Sequence, residues 1–134
     1  MTAPARGILD TSVFITRENG RPLDESVLPD EAAISVVTLA ELHAGVLAAT
    51  DTDIRAGRLA TLNTVADMLV LPIEDEAALM WARMRVHLAE AGRRVNVNNL
   101  WIAATAAAHG LPVITQDVGF QPPAGLAGLT IIEA

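Results

Sequence analysis

The 134-residue sequence predicts an α/β fold, a central and mostly parallel sheet of about four to five strands flanked by helices. Short apolar runs with strand character alternate with longer runs of helical periodicity, which is the α/β signature. The helical segments between those runs are long enough to carry the chain back to the same edge, as parallel pairing requires. No internal repeat, low-complexity tract or linker interrupts the alternation, and a chain of this length accommodates one domain, residues 1–134.

The elements follow in order. Gly7 to Leu9 forms the first strand and ends at Asp10, with a short helix or turn from Thr11. The stretch from Glu18 to Asp30 has the glycine, proline and acidic content of a loop. Ala32 to Ile34 forms a second strand, and Ser35 caps a helix from Val36 to about Ala49. A further helix begins near Asp51–Asp53 and runs to about Val65. Met68 to Ile73 forms a strand, placed at an edge or an end by Pro72. Ala77, Met80, Trp81, Met84, Leu88 and Ala91 make one helical stripe, with Arg83, His87 and Glu90 away from it and Gly92 as terminator. The next helix starts at Asn98 or Asn99 and stops at Gly110; it is apolar nearly all round and therefore central. Val113 to Thr115 and Leu129 to Ile132 complete the strands.

Composition narrows the function classes. At 51% hydrophobic and 19% charged residues the chain is an ordinary globular domain. It has no cysteine, which removes disulfides and thiolate metal sites and suits a reducing cytoplasm. Met1 to Arg6 is too short and polar for a secretory signal, and no apolar stretch reaches membrane-spanning length. The formal charge is −7, and every basic residue is an arginine. That argues against a simple nucleic-acid binder, although clustered carboxylates that hold metal contribute to the deficit.

Four positions carry the chemistry. Asp10 and Asp117 stand at or just beyond the carboxyl ends of strands, where ligands bind in an open parallel sheet. Glu41 lies on a mostly apolar helix with no basic partner three or four residues away; Val37, Thr38, Ala44 and Gly45 give it a face of modest size, while Leu39, Ala40, Val46 and Leu47 form a different, apolar face. Burying such a carboxylate is expensive unless it is paired or bound to metal. Asn99 lies at the start of the central helix, beside the positive helix end. Convergent oxygens without cysteine favour a hard cation, Mg²⁺ or Mn²⁺, which activates water for attack on a phosphodiester. Each position alone is as readily a cap or turn residue; the set of four is what points to a site.

The segments Gly-Ile-Leu-Asp10-Thr11-Ser12, Ser-Val-Val-Thr-Leu-Ala-Glu41-Leu, Asn98-Asn99-Leu-Trp-Ile-Ala-Ala and Val-Ile-Thr115-Gln116-Asp117 resemble, in order and spacing, the motifs of PIN-domain ribonucleases of the VapC toxin type. The resemblance spans nearly the whole chain. It implies a PIN-like fold, a metal-dependent endoribonuclease that inhibits translation by cutting tRNA or ribosomal RNA, a homodimer, and a cognate VapB antitoxin whose C-terminal segment occupies the active-site groove. Carried over residue by residue, Asp10, Glu41 and Asp117 match acidic metal positions, and Ser12 and Thr115 match polar residues that support them. Asn99 falls where the family has aspartate. Asparagine keeps the shape and loses the charge, leaving one carbonyl oxygen as a ligand, so the sequence predicts reduced or absent activity, whether as an inactivated form or a natural variant. An asparagine that merely caps its helix is the simpler reading of the position taken alone.

Among the remaining residues, Arg93 and Arg94 precede Asn99 in a Gly-Arg-Arg-Val-Asn-Val-Asn loop and are candidates for phosphate contact with RNA; a solvated loop is the alternative. His43 reads as packed in the core or an interface, and Trp81 and Trp101 as core. With 3% aromatic residues there is no stacking platform for single-stranded bases. Two rival functions remain: a non-catalytic PIN-fold module that binds RNA or a partner, favoured by Asn99, and a phosphatase built on Asp10, disfavoured because Ser12 stands where its second aspartate belongs.

Overall fold

A computed structural model describes residues 3–134; Met1 and Thr2, part of the short polar start, lie outside the described residues. Five strands form one all-parallel sheet in the order β3-β2-β1-β4-β5. They are β1 (Arg6–Leu9), β2 (Glu31–Ser35), β3 (Leu69–Leu71), β4 (Val113–Thr115) and β5 (Ile131–Glu133). The helices are α1 (Thr11–Glu18), α2 (Val36–Ala48), α3 (Thr52–Thr64), α4 (Asp75–Glu90) and α5 (Val97–His109). No helix among the described residues is long and apolar enough to cross a membrane.

The order has a simple cause. The two most buried strands, β1 and β4, lie side by side at the centre, with Ile8, Val113 and Ile114 fully buried. Strand β3 is an edge and spans only Leu69–Leu71 of the expected Met68–Ile73 run, ending just before Pro72, which cannot donate to a ladder. Helix α5 carries Leu100 and Ile102 to Ala106 into the core on one face of the sheet, where Met84 and Leu88 of α4 meet them. On the other face, Leu9, Val13, Phe14, Ile34, Leu42 and Val65 form the second core cluster.

Several sequence expectations differ from the structure in further ways. Helix α5 begins at Val97, not at Asn98 or Asn99, because Asn96 is its cap: the Asn96 side chain accepts from the backbone N–H groups of both Asn98 and Asn99. On α4, Ala91 is exposed rather than part of the buried stripe, because the helix has already ended there. His43 is exposed rather than packed in the core; α2 buries only Thr38 and Leu42 and leaves Leu47 at 75% exposure. Trp81 and Trp101 are half-buried and stack on each other, ring centres 4.9 Å apart; Trp81 packs against the main core cluster, as expected, from its margin.

Candidate active site

The carboxyl ends of β1 and β4 adjoin, so whatever follows them is brought together. Asp10 follows β1 and caps α1, with 2% of its surface exposed. Its Oδ2 accepts hydrogen bonds from the Ser12 hydroxyl (2.6 Å), the Thr115 hydroxyl (2.9 Å) and the Ser12 backbone N–H (3.3 Å). Burial pushes its carboxyl pKa above the ordinary 3.8, and these hydrogen bonds oppose the rise without cancelling it.

Thr115, the last residue of β4 and fully buried, joins the two halves of the site. Its hydroxyl donates to Asp10, accepts from the Asp117 backbone N–H (2.8 Å) and lies 3.2 Å from the Ser12 hydroxyl. The Ser12 hydroxyl in turn accepts from the Gln116 backbone N–H (2.9 Å). The turn after β4 is thereby fixed to the start of α1, and Asp117 is held beside it.

Both oxygens of Asp117 are engaged. Oδ1 accepts from the Gly119 backbone N–H (2.7 Å), capping a single 3-10 turn from Val118 to Phe120. Oδ2 accepts from the Asn99 side-chain amide (3.0 Å). Asn99 lies in the first turn of α5, 8% exposed, and its side chain reaches Asp117. Asn96 performs the capping, so capping does not explain Asn99.

Glu41 joins the site through Thr11, the residue after Asp10. The Thr11 hydroxyl lies 2.7 Å from Glu41 Oε1 and 3.0 Å from the Thr38 hydroxyl; having one proton, it donates to one of them at a time. Thr38 is buried one helical turn before Glu41. Glu41 is half-buried and lines a cavity of about 190 Å³ with Glu18, Asn19 and Arg58.

Asp10, Ser12, Thr115, Asp117 and Asn99 thus form one continuous hydrogen-bonded network, with Glu41 attached through Thr11. Arg93 and Arg94 stand apart, exposed on the loop between α4 and α5. Three further residues shape the site, and the sequence motifs give none of them this role: Thr11, Thr38 and Gly119. Thr11 and Thr38 position Glu41, and their hydroxyls next to Asp10 and three residues before Glu41 were a visible signal. Gly119 leaves room for the Asn99–Asp117 contact: a Cβ there would sit 3.0 Å from both Asn99 Nδ2 and Asp117 Oδ1.

The donors suit a hard divalent cation in kind and fall short in number. They are oxygens without thiolate or imidazole, yet among the described residues no group of three or more His, Cys, Asp or Glu is placed to hold a metal. Beside Asp117 stands the Asn99 amide, a neutral group whose N–H is directed at the Asp117 carboxylate.

A parallel five-stranded sheet with acids gathered at the ends of its central strands is the PIN domain architecture. The PIN domain family model matches residues 7–126, and the chain belongs to that family. Within it the chain is of the VapC type. It is 64% identical to Ribonuclease VapC5 of Mycobacterium tuberculosis over 98% of each chain. It is 38% identical to Ribonuclease VapC4 of the same organism, over 94% of this chain and 97% of that one. Its fold matches the crystal structure of VapBC-5 from M. tuberculosis, a member of the VapBC family of toxin–antitoxin systems, with TM-score 0.91 and 61% identity over 98% of this chain and all of that one.

Proposed function

We propose that this protein is the VapC toxin of a VapBC pair, a single PIN unit built as a Mg²⁺- or Mn²⁺-dependent endoribonuclease against structured RNA of the translation machinery, tRNA or rRNA, and that Asn99 reduces or abolishes its cleavage. The observation that carries the reading is the network joining Asp10, Ser12, Thr115, Asp117 and Asn99 across two strand ends. Asp10, Glu41 and Asp117, with the Asn99 carbonyl oxygen, are the residues that would hold the cation. When bound, the cation supplies water activation and stabilises charge on the phosphoryl oxygens.

The protein's own residues do the positioning. Ser12 and Thr115 restrain Asp10 and set the turn that presents Asp117. Thr11 restrains Glu41. The Asn99 amide satisfies Asp117 by a hydrogen bond, which removes both a charge and a free oxygen from the site. Cation affinity falls accordingly, most at a second position.

The partner readings rest on the surface. Leu47 of α2 and Ile54 and Leu59 of α3 are exposed at 75%, 52% and 46%, and α3 buries no residue. An apolar pair of helices of this kind suits coverage by a VapB antitoxin, whose basic C-terminal segment would meet the acids of the groove. We place the toxin in the cytoplasm, as a homodimer.

The test compares this protein with Asn99→Asp, each incubated with total tRNA and rRNA with and without Mg²⁺ or Mn²⁺. Metal-dependent cutting by Asn99→Asp, blocked by the antitoxin encoded beside the gene, is the expected result. If Asn99→Asp binds neither ion and cuts no RNA, the catalytic reading fails. A non-catalytic PIN-fold module that binds RNA or a partner is the second reading, favoured by the amide–carboxylate bond that occupies Asp117; it predicts binding without cleavage in both proteins.

A further inference from the structure

A groove of about 390 Å³ runs between α4, the loop after it and the first turn of α5. Its rim carries Arg85, Arg93 and Arg94, and its floor includes Leu88, Val95 and Leu100. All three arginines are exposed, and no carboxylate among the described residues lies within ion-pairing distance of them. The chain has nine basic residues against sixteen acidic ones, so three unpaired arginines on one groove concentrate positive charge on an otherwise acidic molecule. Val97, the first residue of α5, lines the groove, so the positive helix end lies at its wall. The groove also shares that helix start with the candidate site: Val97 and Leu100 line it, while Asn99 between them binds Asp117 on another side of the same turn.

We infer that this groove is a phosphodiester-binding track, which takes the backbone of a single-stranded RNA segment and leads it over the start of α5 to the strand-end acids. The inference rests on the ribonuclease reading for the identity of its ligand. Guanidinium groups bind phosphate oxygens through paired N–H donors. The floor is aliphatic, and the one aromatic side chain of the lining, Trp81, is already stacked on Trp101. Recognition here is of charge and backbone, independent of base sequence. Charge alone would also admit an acidic peptide; the first turn of α5, which the groove shares with Asn99, favours RNA.

The experiment reads binding without cleavage. The chain contains two tryptophans and no tyrosine, both tryptophans lie in the stacked pair, and the Trp81 indole N–H is buried without an acceptor, so intrinsic fluorescence reports on the groove wall. The full chain is titrated with an oligouridine in EDTA at several salt concentrations. Three phosphate contacts on a single strand predict a log–log salt slope near −2, or about fourfold weaker binding for each doubling of salt. Arg85→Gln and Arg94→Gln should each lower the slope by about 0.7 with an unchanged melting temperature, and the double variant should lose most of the quenching. An oligouridine that binds the folded double variant as tightly as the parent overturns the track. So does a polyglutamate peptide that binds the parent as tightly as the oligouridine, because the groove would then be a protein-docking surface.

The same proteins separate the two proposals. Cleavage by Asn99→Asp with groove variants that bind normally removes the track and leaves the ribonuclease. Arginine-dependent binding with no cleavage by Asn99→Asp removes the ribonuclease and leaves the track. Neither binding nor cleavage removes both.

Discussion

Replacing Asn99 by aspartate exchanges an amide nitrogen for a carboxylate oxygen 3.0 Å from Asp117 Oδ2. A hydrogen bond to a charged group, worth about 1.5–3 kcal/mol, is lost. Two negative charges then face each other; at 3.0 Å and an effective dielectric near 20, their repulsion is about 5–6 kcal/mol. That figure is an upper bound, because the charge centres lie farther apart than the nearest oxygens and the side chains can rotate. An acid in the first turn of α5 recovers about 0.3–1 kcal/mol from the helix dipole. The net expectation is a loss of about 2–4 kcal/mol in metal-free buffer, or roughly 8–16 °C in melting temperature for a chain of this size. Millimolar Mg²⁺ or Mn²⁺ should return most of that loss in Asn99→Asp and shift the parent far less, since a ligand stabilises by its preference for the folded state. Thermal melts of both proteins in EDTA and in each metal measure it. If Asn99→Asp melts with the parent in EDTA and gains nothing from metal, residues 99 and 117 do not share a charge-sensitive contact.

Three other perturbations test the same site. Thr115→Val removes the hydroxyl that serves Asp10 and the Asp117 N–H at once; a loss of about 2–3 kcal/mol is expected by urea denaturation, and a neutral result would mean the hydroxyl joins nothing. Asp10→Asn tests the raised carboxyl pKa. Folded Asp10 holds its proton above the ordinary 3.8, so its ionisation costs no stability below that value, costs progressively more as pH rises towards the folded value, and costs the full amount beyond it. Asp10→Asn should therefore gain stability over the metal-free parent as pH rises through that window, and lose metal binding; an advantage that grows towards acid pH would contradict the assignment. Gly119→Ala puts a Cβ against Asn99 and Asp117, and a cost of about 1–3 kcal/mol is expected, with a weaker response of Asn99→Asp to Mn²⁺ when the two changes are combined.

Strand-end acids were legible because the strands preceding them are short, apolar and buried: Ile8–Leu9 before Asp10, and Val113–Ile114 before Thr115 and Asp117. Val113 to Thr115 agrees with the structure residue for residue. Element ends near competing polar groups were not legible. Asn96, Asn98 and Asn99 are each good caps by type, and only the folded backbone shows that Asn96 receives both N–H groups. The last strand begins at Ile131 rather than Leu129, because the Leu129 N–H is spent on Leu126 in the preceding turn. The exposed apolar face of α2 defeats a reading that equates apolar with buried: Leu47 has nowhere to go within this chain. The Thr11 hydroxyl is visible in the sequence beside Asp10, but its pairing with Glu41, thirty residues away, takes the folded chain to show.

Asn99 changes what the site requires in order to stay assembled. With aspartate there, Asp117 would face an uncompensated like charge whenever no cation is bound, and the turn after β4 would be held against that repulsion. With asparagine, the amide serves as a neutral donor, and the same turn is satisfied without metal: Asp117 has Gly119 on one oxygen and Asn99 on the other. The turn after β4 is thereby assembled by hydrogen bonds alone. The surfaces that lie outside the acid cluster, the exposed α2–α3 face and the arginine groove, depend on the backbone and not on the cation. An antitoxin that recognises shape should consequently bind this protein in EDTA about as well as in Mg²⁺, whereas its binding to Asn99→Asp should depend on metal. Equal metal dependence in the two would show that residue 99 leaves the assembly of the site untouched.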